Sequence, residues 1–181
     1  MPENDDHDTT AETDTPLWRF ALALWQQDAA RDLCLQLQEQ GWSVTRLLCA
    51  GWMARQGRHY SGNEPESLQQ WRRNVTESIR HLKKSLGKSD SLLAPLRESL
   101  ARAELEAERI ELYRAWQTLR DTAPGDTTRP GPSITESNLR QAAPATNGSI
   151  NGMTEPMIRQ LAQLIGTVSS GHSHPSGSQG A

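Results

Sequence analysis

Apolar residues along this chain recur three and four positions apart, and the densest such stretch runs from Ser43 to Gln56. At about 100° per residue, Val44, Leu47, Leu48 and Gly51 line one side of a helix. Cys49, Trp52, Met53 and Ala54 fill most of the remainder, and only Thr45, Arg46 and Arg55 interrupt. A helix that is apolar nearly all round has to be enclosed by protein or lipid. A helix this short, at about 1.5 Å of rise per residue, cannot cross a hydrocarbon core of roughly 30 Å. The pattern therefore predicts the central helix of a small bundle. Ser43 is a good N-cap, Trp42 and Leu47 have the spacing of a hydrophobic staple, and Gly57 can take the left-handed conformation that closes a helix.

Four further helices of one domain are predicted on either side. Thr15 caps a first helix with Pro16 at its opening position, and Leu17, Phe20, Ala21, Leu24 and Trp25 form its inner stripe. Asp28 caps a second, with Ala30, Leu33, Cys34 and Leu37 inward and Gly41 at its end. A fourth starts at Pro65, carries the stripe Leu68, Trp71, Val75, Ile79, Leu82 and Leu86, and stops at Gly87. A long fifth helix begins near Ser89, Asp90 or Ser91 and runs to about Asp121. Leu96, Leu100, Ala103, Ala107 and Ile110 make one stripe on it, and Leu105, Leu112 and Trp116 a second. The connections between the first three helices are so short that they pack as neighbours.

Outside residues 16–121 the pattern fades. Residues 1–15 are acidic, without lysine or arginine or an apolar anchor, and are expected to be disordered. Residues 122–153 turn to Pro, Gly, Thr, Ser and Asn, the composition of a disordered linker. Residues 154–168 form one short amphipathic helix with Met157, Leu161, Leu164, Ile165 and Val168 on one face, and residues 169–181 are a low-complexity tail. The fold expected is thus all-α: one five-helix, bundle-like domain between an acidic tail and a C-terminal tail that carries one amphipathic helix. A mean hydropathy of -0.71 over 181 residues, with 35% hydrophobic and 23% charged, suits a modest core within a polar chain. No apolar run reaches membrane length, and the N-terminus lacks the basic-then-apolar form of a secretory signal. Cys34 and Cys49 lie in apolar helical patterns, as small buried hydrophobes of a reducing cytoplasm do.

Several short runs are familiar as a set. Cys34-Leu35-Gln36-Leu37-Gln38, then Gly41, Val44, Leu47-Leu48 and Trp52 form the first. Trp71 with Arg80, Leu82 and Lys83 follows, and then Glu104-Leu105-Glu106-Ala107-Glu108. Together they resemble a proteobacterial family of short, all-helical cytoplasmic proteins classed as a domain of unknown function. The likeness covers residues 17–120. Ser43 stands where the family usually has Asp, which keeps the capping chemistry, and Thr45 stands where it has Asn. The resemblance implies one helical domain and brings no activity, cofactor or site residue.

Three groups invite a chemical reading. Glu104, Glu108 and Glu111 share the sector between the two stripes of the fifth helix, where bundle metal sites place carboxylates. Such sites also want Glu-x-x-His pairs on partner helices, and the sequence offers only Glu77 and His81, four apart. Pairing with Arg72, Arg97 or Lys83 is the plainer expectation. Arg73, Arg80 and Lys84 share the predicted solvent face of the fourth helix, as phosphate binding requires. The domain's balance of +3 over residues 16–121 (16 Lys+Arg against 13 Asp+Glu) is mild. Met157, Leu161, Leu164, Ile165 and Val168 could grip a partner as a helix in a groove, fold back on the bundle, or stay disordered. No Ser-His-Asp arrangement or phosphate loop is evident, and His172 and His174 would make only a weak metal site.

The reading these observations favour is a non-enzymatic module that docks an unidentified cytoplasmic protein, without cofactor or membrane. Weak nucleic-acid binding through Arg73, Arg80 and Lys84 is one alternative. A metal-dependent bundle enzyme using Glu104 and Glu108 is the other.

Overall fold

The computed structural model describes residues 12–87, 90–121, 130–145 and 150–168, and every regular element among them is helical. The first three helices form where the apolar pattern puts them: α1 over Pro16–Trp25, α2 over Asp28–Glu39 and α3 over Val44–Arg55. Thr15 Oγ1 accepts from the Trp18 amide at 3.1 Å, and Ser43 Oγ from the Arg46 amide at 3.3 Å. Gly41 and Gly57 both have positive φ and end α2 and α3. Asp28 is not the cap of α2 but its first helical residue, where it pairs with Arg31.

Helix α3 is the centre. Ten of its residues are buried, Leu48 and Trp52 among them, and α1, α2 and three later helices pack around it. Its apolar girth requires that many neighbours, because each one covers only a sector of the surface.

Seven helices are present among the described residues, against five expected in the domain and one beyond it. Helix α4 combines Glu66–Trp71, one π turn at Arg72–Thr76, and Glu77–Ser85. A short 3-10 turn at Ser91–Leu93 leads into α5, Ala94–Arg120. Asp90 supplies the cap there, accepting from the Leu92 amide at 2.9 Å, while Ser89 lies outside the described residues. Helix α6, Pro132–Gln141, lies in the stretch expected to be a linker, and α7 is Thr154–Thr167. The acidic stretch up to residue 11 and the tail from 169 also lie outside the described residues, as do 122–129 and 146–149 of the expected linker.

Helices α6 and α7 complete the enclosure of α3. Ile134 and Leu139 of α6 and Ala142 just after it are buried, and so is Asn138. The Asn138 amide donates to the carbonyls of Ala50 and Arg58 and accepts from the Tyr60 amide at 3.0 Å. One polar side chain thus satisfies the backbone of the turn that follows α3. At Gly62, with φ +74°, a Cβ would lie 2.5 Å from the Gln141 carbonyl, so this turn and α6 meet at backbone distance. The face of α7 expected to grip a partner packs on this chain instead. Leu161 and Ile165 are fully buried, Val168 is buried, and Met157 and Leu164 are half-buried against the same core. Helix α7 packs there against α2, α3 and α6.

Candidate functional site

Two sets of charges sit below the surface, and they differ in what surrounds them. The first ties the body together. Glu64, in the turn before α4, accepts from Arg72 Nη1 and Nη2 at 2.7 and 2.8 Å and from Arg46 Nη1 at 2.7 Å. Arg72 Nε donates to Glu111 at 2.7 Å, and Thr76 Oγ1 to the other Glu111 oxygen at 2.9 Å. Arg46 continues to the Ala142 and Gln141 carbonyls at the end of α6. Two cations meet two carboxylates with every guanidinium nitrogen of Arg72 used, so the burial of charge is compensated. Burial raises the Glu64 carboxyl, but the hydrogen bonds and charge of Arg72, with Arg46 behind them, outweigh it and hold it below the ordinary range. This network closes a structure; it leaves no unsatisfied charge for chemistry.

The second set lies farther along α4, where that helix and the N-terminal half of α5 run antiparallel as an arm. Arg80 Nε donates to Glu104 at 2.8 Å and Arg80 Nη2 to Glu108 at 2.7 Å; Lys83 also binds Glu104. Burial and the neighbouring Glu104 charge raise the Glu108 carboxyl against the pull of Arg80. The ion pairs are the filling of the arm. Its leucines are outside: Leu82, Leu92, Leu96 and Leu105 are 53%, 87%, 48% and 50% exposed. No residue of Glu77–Ser85 is buried. The arm is an inside-out hairpin.

The π turn is the reason. A π turn inserts one extra residue into the helical repeat, which moves the inner face of everything after it by one position. Trp71, before the turn, still reaches α5 and donates to the Ala107 carbonyl at 3.1 Å, but beyond it the expected stripe Val75, Ile79, Leu82 gives way to Thr76, Arg80, Lys83. Val75 and Ile79 are left half-buried at the side and Leu82 faces water. On α5, Leu96, Ala103 and Leu105 are likewise exposed rather than internal, while Ala107, Leu112 and Ala115 meet the body.

The expected sites can now be placed. Arg73, Arg80 and Lys84 do not form one basic face: Arg73 pairs with Glu66 at 2.8 Å, Arg80 is turned onto α5, and Lys84 is exposed. Glu104 and Glu108 are held by Arg80 and Lys83, and Glu111 by Arg72 and Thr76, so these carboxylates are already neutralised. Among the described residues no cluster of three His, Cys, Asp or Glu side chains is arranged to hold a metal. His172 and His174 lie outside the described residues. Cys34 and Cys49 are buried thiols; burial pushes Cys34 up to about 12 and raises Cys49 as well, far from a reactive thiolate. What the sequence pattern did not reveal is the exposed row itself. Its one signal was the second stripe on the fifth helix, which left more apolar positions than one neighbour could cover.

A family model described as a protein of unknown function (DUF2390) matches residues 16–114. The chain belongs to that family. The match spans α1 to α4 and most of α5, the whole arm included, and ends before α6. No curated protein and no solved structure matches the chain. No helix among the described residues is long and apolar enough to cross a membrane.

Proposed function

We propose that this DUF2390 protein is a non-enzymatic interaction module of the bacterial cytoplasm, and that its arm, not its C-terminal helix, is what docks another protein. The observation that carries this reading is the inverted arm. Leucines projecting from a hairpin whose interior is filled by ion pairs are costly in water, at about 25 cal/mol for each Å² of apolar surface left uncovered. Exposed apolar rows of this kind mark docking surfaces on soluble proteins. A π turn inside an α-helix is often kept for function rather than stability, and here it is what turns the leucines outward. The other exposed side chains give no comparable motive for chemistry, since the buried carboxylates are paired and the thiols are enclosed.

The nucleic-acid reading gains no support from the paired Arg73 and the inward Arg80. The metal reading is disfavoured by the cations already bound to Glu104 and Glu108.

Affinity capture with the full chain tests the proposal. The wild type is expected to hold one protein at stoichiometric amount, either a second copy or another protein. The variant carrying Leu82→Glu and Leu96→Glu is expected to lose it while keeping its melting temperature. A wild type that holds no stoichiometric protein would contradict the reading.

A further inference from the structure

Tyr60, in the turn after α3, is only 3% exposed, and its hydroxyl finds no hydrogen-bond partner among the described residues. Its amide is accounted for, donating to Asn138 Oδ1 of α6 at 3.0 Å. A buried hydroxyl left unpaired forfeits the hydration it had in the unfolded chain, so native folds rarely keep one. The surroundings of this one supply a remedy. Tyr60 lines a cavity of about 10 Å³ together with Cys49, Asn63, Glu64, Leu68 and Thr118. That is room for one water molecule and for nothing larger.

Polarity matches the size. A water stays in such a place when it has two or more polar partners. The Tyr60 hydroxyl can donate to it, and Glu64, whose side chain is 4% exposed, can accept from it. Glu64 Oε2 already takes two hydrogen bonds, from Arg46 Nη1 and Arg72 Nη1, whereas Oε1 takes one, from Arg72 Nη2. A carboxylate oxygen has lone pairs for two. The buried Cys49 thiol is a weak third partner. Burial, with Cys49 and the Glu64 charge adding to it, raises the pKa of the Tyr60 hydroxyl, which therefore keeps its proton to donate.

We propose that one buried water binds here and bridges the Tyr60 hydroxyl to Glu64 Oε1. The docking reading above neither supports this site nor depends on it. The water joins the Asn138 anchor of α6, which Tyr60 meets through its amide, to the ion cluster of Glu64, Arg72 and Glu111. The late helix and the core of the domain then share one polar network. The cavity has Pro65, Leu68 and Thr118 in common with a surface cleft that also touches Arg114 and Gln117, which gives the water a way in.

Magnetic relaxation dispersion of the water oxygen nucleus, which counts long-lived internal waters, tests this on the full chain. The wild type is expected to hold one more such water than Tyr60→Phe. The variant is also expected to melt about 2–4 °C lower, because it loses a hydrogen-bonded hydroxyl. A hydroxyl with no partner gives the opposite sign, since its removal leaves melting unchanged or raises it. Equal water counts, or a Tyr60→Phe variant that melts no lower, would overturn the proposal. A crystal structure of the wild type adds a check that needs no variant. One water within hydrogen-bond distance of both Tyr60 Oη and Glu64 Oε1 supports the site; a hydroxyl bonded to a protein group, or a dry cavity, contradicts it.

Discussion

The body and the arm are built from the same helices by opposite rules. In the body, leucines go inward and the few buried charges are matched atom for atom, as with Arg72 between Glu64 and Glu111. In the arm, Arg80, Lys83 and Glu104 occupy the inside and Leu82, Leu92 and Leu96 the outside. Helix α4 passes through both regions and changes rule at the π turn Arg72–Thr76. The lesson is that a one-residue change in helical repeat can reassign every side chain beyond it without altering the path of the chain. The body encloses most of its own apolar residues, whereas the arm leaves Leu82, Leu92, Leu96 and Leu105 in water.

The largest expected effect that separates the two regions is on stability. Arg72→Met leaves Glu64 and Glu111 buried without their shared cation and should lower the unfolding free energy by about 3–5 kcal/mol. Arg80→Met leaves Glu104 still paired with Lys83 and Glu108 within reach of water, and should cost about 1 kcal/mol. Urea denaturation of both variants checks the contrast; equal losses would mean the arm's ion pairs are as integral as the body's.

Acid titration sharpens the comparison, because the two regions shift their carboxylates in opposite directions. Glu64 is held below its ordinary value of 4.5. It therefore lends stability above that value, lost as pH falls through its folded-state value. Glu108 is raised above 4.5. The folded state then binds its proton more tightly than the unfolded chain, so Glu108 favours folding below 4.5 and this contribution fades as pH rises through its folded-state value. Carboxyl-carbon NMR should show midpoints on opposite sides of 4.5, and two midpoints on the same side would refute the distinction.

Much of the body was legible in the chain. The apolar girth of Val44–Arg55, the caps Thr15 and Ser43 and the closing glycines 41 and 57 are local signals, and local signals survive in the fold. Helix α6 was not legible because its inner face is short and mixed, with Asn138 between Ile134 and Leu139 and prolines and glycines ahead of it. Only the waiting backbone carbonyls of Ala50 and Arg58 make that asparagine a core residue. The amphipathic face of α7 was visible, but not its destination, which depends on the groove that α6 helps to form. The arm was read inside for outside because periodicity assumes an unbroken 3.6-residue repeat, and nothing in Arg72-Arg73-Asn74-Val75-Thr76 announces a π turn. Its first and last residues, Arg72 and Thr76, both reach Glu111, a tertiary contact that local pattern does not show.

The most direct test compares exposed leucines of the two regions by placing a photo-crosslinking residue at one position at a time in cells. Leu82 and Leu96 of the arm are set against Leu22 and Leu35 of the body, which are 47% and 41% exposed. Positions 82 and 96 are expected to give one discrete adduct in high yield, and positions 22 and 35 none. Adducts of equal yield from both regions, or none from the arm, would contradict the claim that the inverted hairpin exists to be covered.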